Sequence, residues 1–165
     1  MLTLDKVYHA AYVLKNVIRH TDLIQAPKIN REAEVYLKTE NLQNTGSFKL
    51  RGAYYKISQL SEEEKAKGVI ACSAGNHAQG CAFAASAMGM KATIVMPTTT
   101  PLVKVNNTKD YGAKVILHGE VFDESAELAA QLSQAEGYTY IHPFNDPIVA
   151  AGQGSIPMEI VQELP

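Results

Sequence analysis

Val69-Ile70-Ala71-Cys72-Ser73-Ala74-Gly75-Asn76-His77-Ala78-Gln79-Gly80 is the stretch on which the reading of this chain turns. A short apolar run gives way to a polar loop around Gly75, and the loop opens a segment rich in alanine. The order is strand, tight loop, helix. Further apolar runs at Ala92–Met96, Lys114–Leu117 and Tyr138–Ile141 alternate with helix-like segments starting near Asn76, Pro101 and Asp123. Such alternation predicts βαβ units. Gly68, Gly89, Gly112 and Gly137 each stand just before a run, where a helix C-terminus takes a left-handed residue. The expected class is α/β, a parallel sheet with helices on both faces.

Upstream, Leu4, Val7, Tyr8, Ala11, Leu14 and Ile18 recur at helical spacing, which predicts an amphipathic helix over Thr3–Ile18 with Thr3 as N-cap. Glu34–Thr39 reads as a short strand. Asn44-Thr45-Gly46 is a turn before a helix from about Ser47 to Leu60. The chain shows no fixed-period repeat, no low-complexity stretch and no linker longer than a loop.

With 165 residues the chain has the usual size of one domain. A net charge of −2 and basic residues scattered rather than striped argue against nucleic acid as a partner. Asp5, Lys6 and Lys15 interrupt the apolar positions of the first sixteen residues, so neither a signal peptide nor a membrane span is expected there, and a cytoplasmic location is. Cys72 and Cys81 make no disulfide framework, and no Cys/His spacing matches a zinc site, so no metal is expected. Both cysteines read as small buried residues in a reducing compartment.

Two segments carry candidate chemistry. In Thr45-Gly46-Ser47-Phe48-Lys49-Leu50-Arg51-Gly52-Ala53, a lysine stands in the first turn of a helix behind a glycine turn. The positive end of the helix dipole disfavours an ammonium there and burial disfavours it further, so both push Lys49 toward the free amine. A free amine can attack an aldehyde to form a Schiff base, and once released it can act as a base. The bland alternative is a lysine that snorkels to solvent from a helix end. The second segment is Ser73-Ala74-Gly75-Asn76-His77, at the junction of strand and helix. Free backbone N–H groups, the helix dipole, the Ser73 hydroxyl and close approach at Gly75 suit an anion such as a carboxylate. Here the bland alternative is a plain loop with Asn76 as N-cap.

The nine residues around Lys49 closely resemble the cofactor-lysine segment of threonine dehydratases and serine racemases, fold type II pyridoxal-phosphate enzymes. The loop at Ser73 resembles theirs in the same order. The likeness runs from Ala33 to the end, including Glu40-Asn41-Leu42, Val95-Met96-Pro97 and Ala151-Gly152-Gln153-Gly154-Ser155-Ile156. It implies that Lys49 holds pyridoxal 5'-phosphate as a Schiff base and that Phe48 lies against the cofactor. Asn76 then hydrogen-bonds the cofactor's ring oxygen, and Ser73, Ala74, Gly75, Asn76 and His77 hold the carboxylate of an amino-acid substrate. His77 has the chemistry of a base, but the family uses this position for the loop. Racemases of the eukaryotic type carry a second serine where this chain has Ala74, which has no proton to give.

The activity implied is dehydration and deamination of L-threonine, and of L-serine, to a 2-oxo acid and ammonia. The resemblance divides the chain into residues 1–44 as the N-terminal arm of a large lobe, 45–144 as a small α/β lobe and 145–165 as the start of the rest of the large lobe. Enzymes of this kind are about twice as long, and the other half supplies a glycine-rich loop for the cofactor phosphate and a small polar residue for the pyridine nitrogen. The expectation is an N-terminal half that is inactive alone and is completed by a C-terminal half or by homo-oligomerisation. The rival readings are a non-catalytic half-chain or interaction module and a serine racemase-like enzyme. A flavodoxin-like nucleotide binder is weakened by the lack of a glycine fingerprint after the first strand of the small lobe. One departure from the family pattern is Pro157, at a position where a helix normally continues with a small residue. It predicts a last helix that starts late, kinks or is loosely held.

Overall fold

The computed structural model describes residues 1–164. In chain order the elements are α1 (Leu4–Leu14), a hairpin of β1 (Leu23–Gln25) and β2 (Tyr36–Lys38), a 3-10 turn at Glu40–Leu42, α2 (Lys49–Ser58) and α3 (Glu62–Lys67). Then follow β3 (Val69–Cys72), α4 (Asn76–Ala87), β4 (Ala92–Met96), α5 (Leu102–Asp110), β5 (Lys114–Leu117) and α6 (Phe122–Glu136). The chain closes with β6 (Thr139–Tyr140), α7 (Pro147–Gln153) and α8 (Ser155–Glu163). Four strands form a parallel sheet in the order β5-β4-β3-β6, and β1 pairs with β2 in a separate antiparallel ribbon.

Side chains alternate across the sheet with the period of two that a pleated strand imposes. Val69 and Ala71 of β3 face a layer made by α2, α4 and α5, where Ala53, Ile57, Ala78, Cys81, Ala82, Ala85 and Val105 are buried. Ile70 and Cys72 face the other way, onto Ala129 and its neighbours in α6. Both central strands are buried along their whole length, as continuous apolar runs in a doubly covered parallel sheet require. The structure is therefore α/β, with a parallel sheet flanked by helices on both faces. Among the described residues no helix is long and apolar enough to cross a membrane, and no group of three or more His, Cys, Asp or Glu could hold a metal ion.

Three strands occupy the expected residues, and the fourth shortens to Thr139–Tyr140. All four glycines before strands have positive φ, and Gly137, at φ 74 and ψ 20, ends α6 in the left-handed conformation that a side chain resists. At the N-terminus the expectation overshoots. The helix stops at Leu14 rather than Ile18, the N–H groups of Val17 and Ile18 both reach the Leu14 carbonyl in irregular turns, and Thr3 makes no side-chain cap bond. The expected strand over Glu34–Thr39 contracts to Tyr36–Lys38, set by pairing with β1, and the expected helix over Ser47–Leu60 contracts to Lys49–Ser58. Gly75, not Asn76, takes the N-cap position of α4.

Pro157 follows an interruption of the helix. The helix breaks at Gly154 and restarts at Ser155, which puts Pro157 in a first turn where its missing N–H costs no bond. The restarted helix is not loose, because Glu159 is tied to two buried cations.

Candidate functional site

The order β5-β4-β3-β6 contains a reversal. From β3 the chain crosses through α4 on one face to β4, whereas from β5 it crosses through α6 on the opposite face to β6, on the other side of β3. The loops that leave β3 and β6 lie side by side, because the two strands are parallel neighbours, and open α/β sheets bind ligands in a crevice at the strands' carboxyl ends. Here that crevice is bordered by Ser73–Asn76 after β3 and by His142–Asn145 after β6.

Lys49 is the first residue of α2 and reaches this crevice. Its Nζ donates a hydrogen bond to the Pro143 carbonyl at 2.8 Å and lies 5.2 Å from the centre of the half-exposed Phe48 ring. Among the described residues it takes part in no ion pair. The helix that carries it is gripped on two sides. A Cβ on Gly80 of α4 would meet the Lys49 carbonyl at 3.2 Å, and a Cβ on Gly152 of α7 would meet the Arg51 carbonyl and the Gly52 Cα at 2.6 Å. Glycine at both positions lets three helices close on one another at the lysine.

The loop after β3 is open where a ligand needs room. A Cβ built on Gly75 meets no atom within 4 Å, Asn76 is exposed, and Ser73 and Ala74 are half-buried. The Ser73 hydroxyl accepts the Gly75 N–H at 3.2 Å. Beyond the loop, α4 starts at the carboxyl end of β3 with no side-chain cap, and the first turn of a helix leaves backbone N–H donors free.

His77 is turned inward, unlike its neighbours. It is 3% exposed, its Nε2 donates to the Ile141 carbonyl at 2.9 Å, and it lies against the Cys81 thiol. Burial pushes its pKa down to about 4, with the positive charges of Lys49 and His142 adding to the shift and the bond to Ile141 opposing it. A neutral imidazole spent on a backbone carbonyl ties the loop after β3 to the end of β6. Its side chain is not aimed at the crevice, so only its backbone borders the loop. Burial likewise raises the Cys72 thiol to about 11 and the Cys81 thiol further, so neither is a nucleophile here.

Two groups at the site were missed from sequence. One is Arg51, fully buried, whose guanidinium pairs with both Glu40 oxygens, at 2.9 and 2.7 Å, and with Glu159, and reaches the Ser155 hydroxyl at 3.0 Å. Lys38 joins Glu159 at 2.8 Å. Arginine and glutamate in separate motifs carry no signal of pairing until the fold brings them together. The other is the turn at His142, whose Nδ1 accepts the N–H groups of Phe144 and Asn145. A cavity of about 520 Å³ between α1 and α8, lined by Tyr12, Lys15, His20, Met158 and Gln162 among others, shares no residue with the crevice at Lys49.

Residues 14–165 match the model of the pyridoxal-phosphate dependent enzyme family. An L-threonine ammonia-lyase of Thermotoga maritima is 52% identical over all of this chain and 42% of its own length. A catabolic L-threonine dehydratase of Staphylococcus aureus is 48% identical over 99% of this chain and 48% of its own. The chain thus spans about half the length of the curated relatives it matches. Among solved structures, a threonine deaminase isoform of Solanum lycopersicum superposes with a TM-score of 0.89 at 42% identity, covering 98% of this chain and 46% of that one. Maize serine racemase superposes with 0.94 at 30% identity, covering 99% and 50%. By fold and by sequence, the chain belongs to the pyridoxal-phosphate dependent enzymes of fold type II.

Proposed function

We propose that this chain is the lysine-bearing half of an enzyme that dehydrates and deaminates L-threonine, and L-serine, to a 2-oxo acid and ammonia, with Lys49 as the residue that binds pyridoxal 5'-phosphate. The observation that carries the reading is the Lys49 amine docked on the Pro143 carbonyl in the loop after β6, the strand next to the one that leads into the open loop at Gly75. With a carbonyl and no carboxylate as its partner among the described residues, the Lys49 side chain is not locked in an ion pair. The residues present fit an aldehyde cofactor on three counts: the amine, the space over Gly75 and an exposed Asn76 with a side chain free to reach a ring oxygen.

Pyridoxal phosphate, when bound, supplies the electron sink that makes a substrate α-proton acidic. The chain's own residues do the rest of what this half can do. Lys49 would hold the cofactor and, once free of it, would take the α-proton on Nζ, and the Pro143 carbonyl would keep that nitrogen in place in both roles. Ser73 and the backbone from Ala74 to His77 hold the substrate carboxylate, and Asn76 orients the ring. In this reading residues 1–44 and 145–165 belong to a large lobe and 45–144 to a small one. The cofactor phosphate and ring nitrogen are served by the further segment that the longer relatives carry, supplied by a complementing half or within a homo-oligomer, in the cytoplasm. The isolated chain then binds the cofactor weakly and turns over no threonine.

Threonine rather than racemase chemistry is favoured by identity to the threonine enzymes and by Ala74. The test is to incubate the chain with pyridoxal phosphate, reduce with borohydride and map the modified peptide. Label on Lys49, abolished in Lys49→Ala, is expected; label spread evenly over the surface lysines with none at Lys49 defeats the assignment.

A further inference from the structure

We infer that His142 is a positioning residue for Lys49: its Nδ1 shapes the turn that offers the Pro143 carbonyl to the lysine amine. The inference rests on the reading of Lys49 as the cofactor lysine. Nδ1 accepts the Phe144 N–H at 3.2 Å and the Asn145 N–H at 2.8 Å. In accepting two N–H donors, Nδ1 has no hydrogen of its own to offer, which leaves the ring hydrogen to Nε2. The ring also meets the Phe144 ring edge-on at 4.6 Å and lies against Tyr140.

The surroundings show why this one side chain matters. Ile141 is held by its N–H on the Ile70 carbonyl and by His77 on its own carbonyl. Asp146 is held at the N-cap of α7 and by Lys56. Between those two fixed points, the hydrogen bonds among the described residues are those of the His142 ring and the one from Lys49 to Pro143. The bonds to Nδ1 draw residues 144 and 145 back over residue 142, which sets the direction of the Pro143 carbonyl. By taking one hydrogen of Lys49 Nζ, that carbonyl fixes where the nitrogen sits.

The experiment separates acceptor from ring. His142→Asn places an oxygen close to the Nδ1 position and keeps two acceptor sites; His142→Phe keeps an aromatic ring and has no acceptor. The full chain is treated with limiting pyridoxal phosphate and borohydride, and the share of label on Lys49 relative to its other lysines is read by peptide mass spectrometry. Nitrogen NMR of the imidazole reports the tautomer without any variant. Expected are an Nε2–H tautomer, labelling in H142N within about twofold of the unmodified chain, and a fall of roughly five- to tenfold in H142F, the change that one ordinary hydrogen bond brings. Urea midpoints matched between H142N and H142F show that the fall is not lost folding, and should H142F not fold, the tautomer and H142N still decide. An Nδ1–H tautomer, unchanged labelling in a folded H142F, or H142N labelled several-fold less than the unmodified chain overturns the inference. Absence of label on Lys49 in the unmodified chain overturns instead the reading on which it rests, because the tautomer tests the turn independently.

Discussion

The backbone of Lys49 lies so close to Gly80 that a Cβ on the glycine would sit 3.2 Å from the lysine's carbonyl carbon and oxygen. The neighbour is main chain, so it can yield only by moving α2 as a whole.

Gly80→Ala sets two effects against each other. Alanine favours the helix by about 1 kcal/mol, and overpacking against a backbone costs about 1–3 kcal/mol. The net change in stability is expected to stay within about 2 kcal/mol, while label at Lys49 drops because the lysine's helix is displaced. Gly152→Ala, at 2.6 Å from the backbone of α2, is expected to lose more. Gly75→Ala serves as the contrast, because its Cβ meets nothing within 4 Å, and it should leave the urea midpoint unchanged while filling the space a ligand needs. Equal destabilisation by all three substitutions would show that the close approaches are not real constraints.

Arg51 makes the second prediction. Removing it leaves the largely buried Glu40 carboxylate without its cation and Glu159 with Lys38 as its nearest cation, and stranding a buried charge typically costs about 3–5 kcal/mol. Arg51→Met should therefore unfold at much lower urea than Glu40→Gln, which keeps a hydrogen-bonding side chain. Burial raises both carboxyls, but the bonds from Arg51, with help from Thr21 and Lys38, outweigh it and hold both below the ordinary 4.5. Since the folded values are the lower ones, the network's contribution is full above about pH 4.5 and is lost as the pH falls below it. Stability curves in urea from pH 6 to 3 check this: Arg51→Met should lose much of the acid sensitivity of the parent.

What the sequence disclosed and what it hid follow from how each feature is encoded. The strands at Val69, Ala92 and Lys114 were legible because a buried parallel strand is a run of apolar residues bounded by glycine turns. The helix at Glu62–Lys67 was not, since none of its residues is buried and no apolar stripe marks it. Its only signal is local, the capping box of Ser61 and Glu64. Lys49 and the loop at Ser73 could be picked out because each lies in a contiguous motif. The acceptor of Lys49 is 94 residues away, and the carboxylates of Arg51 come from residues 40 and 159, so their pairing exists only after α7 and α8 close on α2.

His77 supplies a pH test of the site's frame. Its folded pKa of about 4 lies below the ordinary 6.5, so the unfolded chain takes up a proton first. No contribution arises above pH 6.5, where both states are neutral, and stability falls as the pH drops from 6.5 toward 4, by on the order of 3 kcal/mol in all. Glutamine can still donate to the Ile141 carbonyl but does not titrate. His77→Gln should therefore show a flatter stability profile than the parent across that window, measured by urea denaturation at stepped pH. Identical slopes would place His77 in contact with water rather than under Ile141.

Within the loop the two polar side chains should fail differently. Asn76 is exposed at the start of α4, and if it bonds the cofactor ring as proposed, Asn76→Ala should remove a bond worth about 1–3 kcal/mol and weaken cofactor binding or shift its absorbance. Ser73 accepts the Gly75 N–H, so Ser73→Ala should loosen the loop proposed to hold the substrate carboxylate and mainly raise the substrate concentration needed in the completed enzyme. Titrations of cofactor and of threonine on each variant distinguish the two, and the opposite pattern would exchange their roles.

Ala74 bears on the stereochemical outcome. Removing and returning an α-proton on opposite faces requires a proton carrier on each, and Lys49 supplies only one. Where racemases of the eukaryotic type carry a serine, this chain has a half-buried methyl group with no exchangeable hydrogen. If Lys49 takes the proton from L-serine as proposed, it can only return that proton on the same face, so neither elimination nor proton return would invert the centre. The chain, supplied with the segment its longer relatives carry, is expected to convert L-serine to pyruvate with no appreciable D-serine, read by chiral chromatography alongside a pyruvate assay. Ala74→Ser restores a hydroxyl at the vacant position and should bring D-serine into the product without abolishing pyruvate. Substantial D-serine from the unsubstituted enzyme would mean that some other group of the completed site carries the second proton.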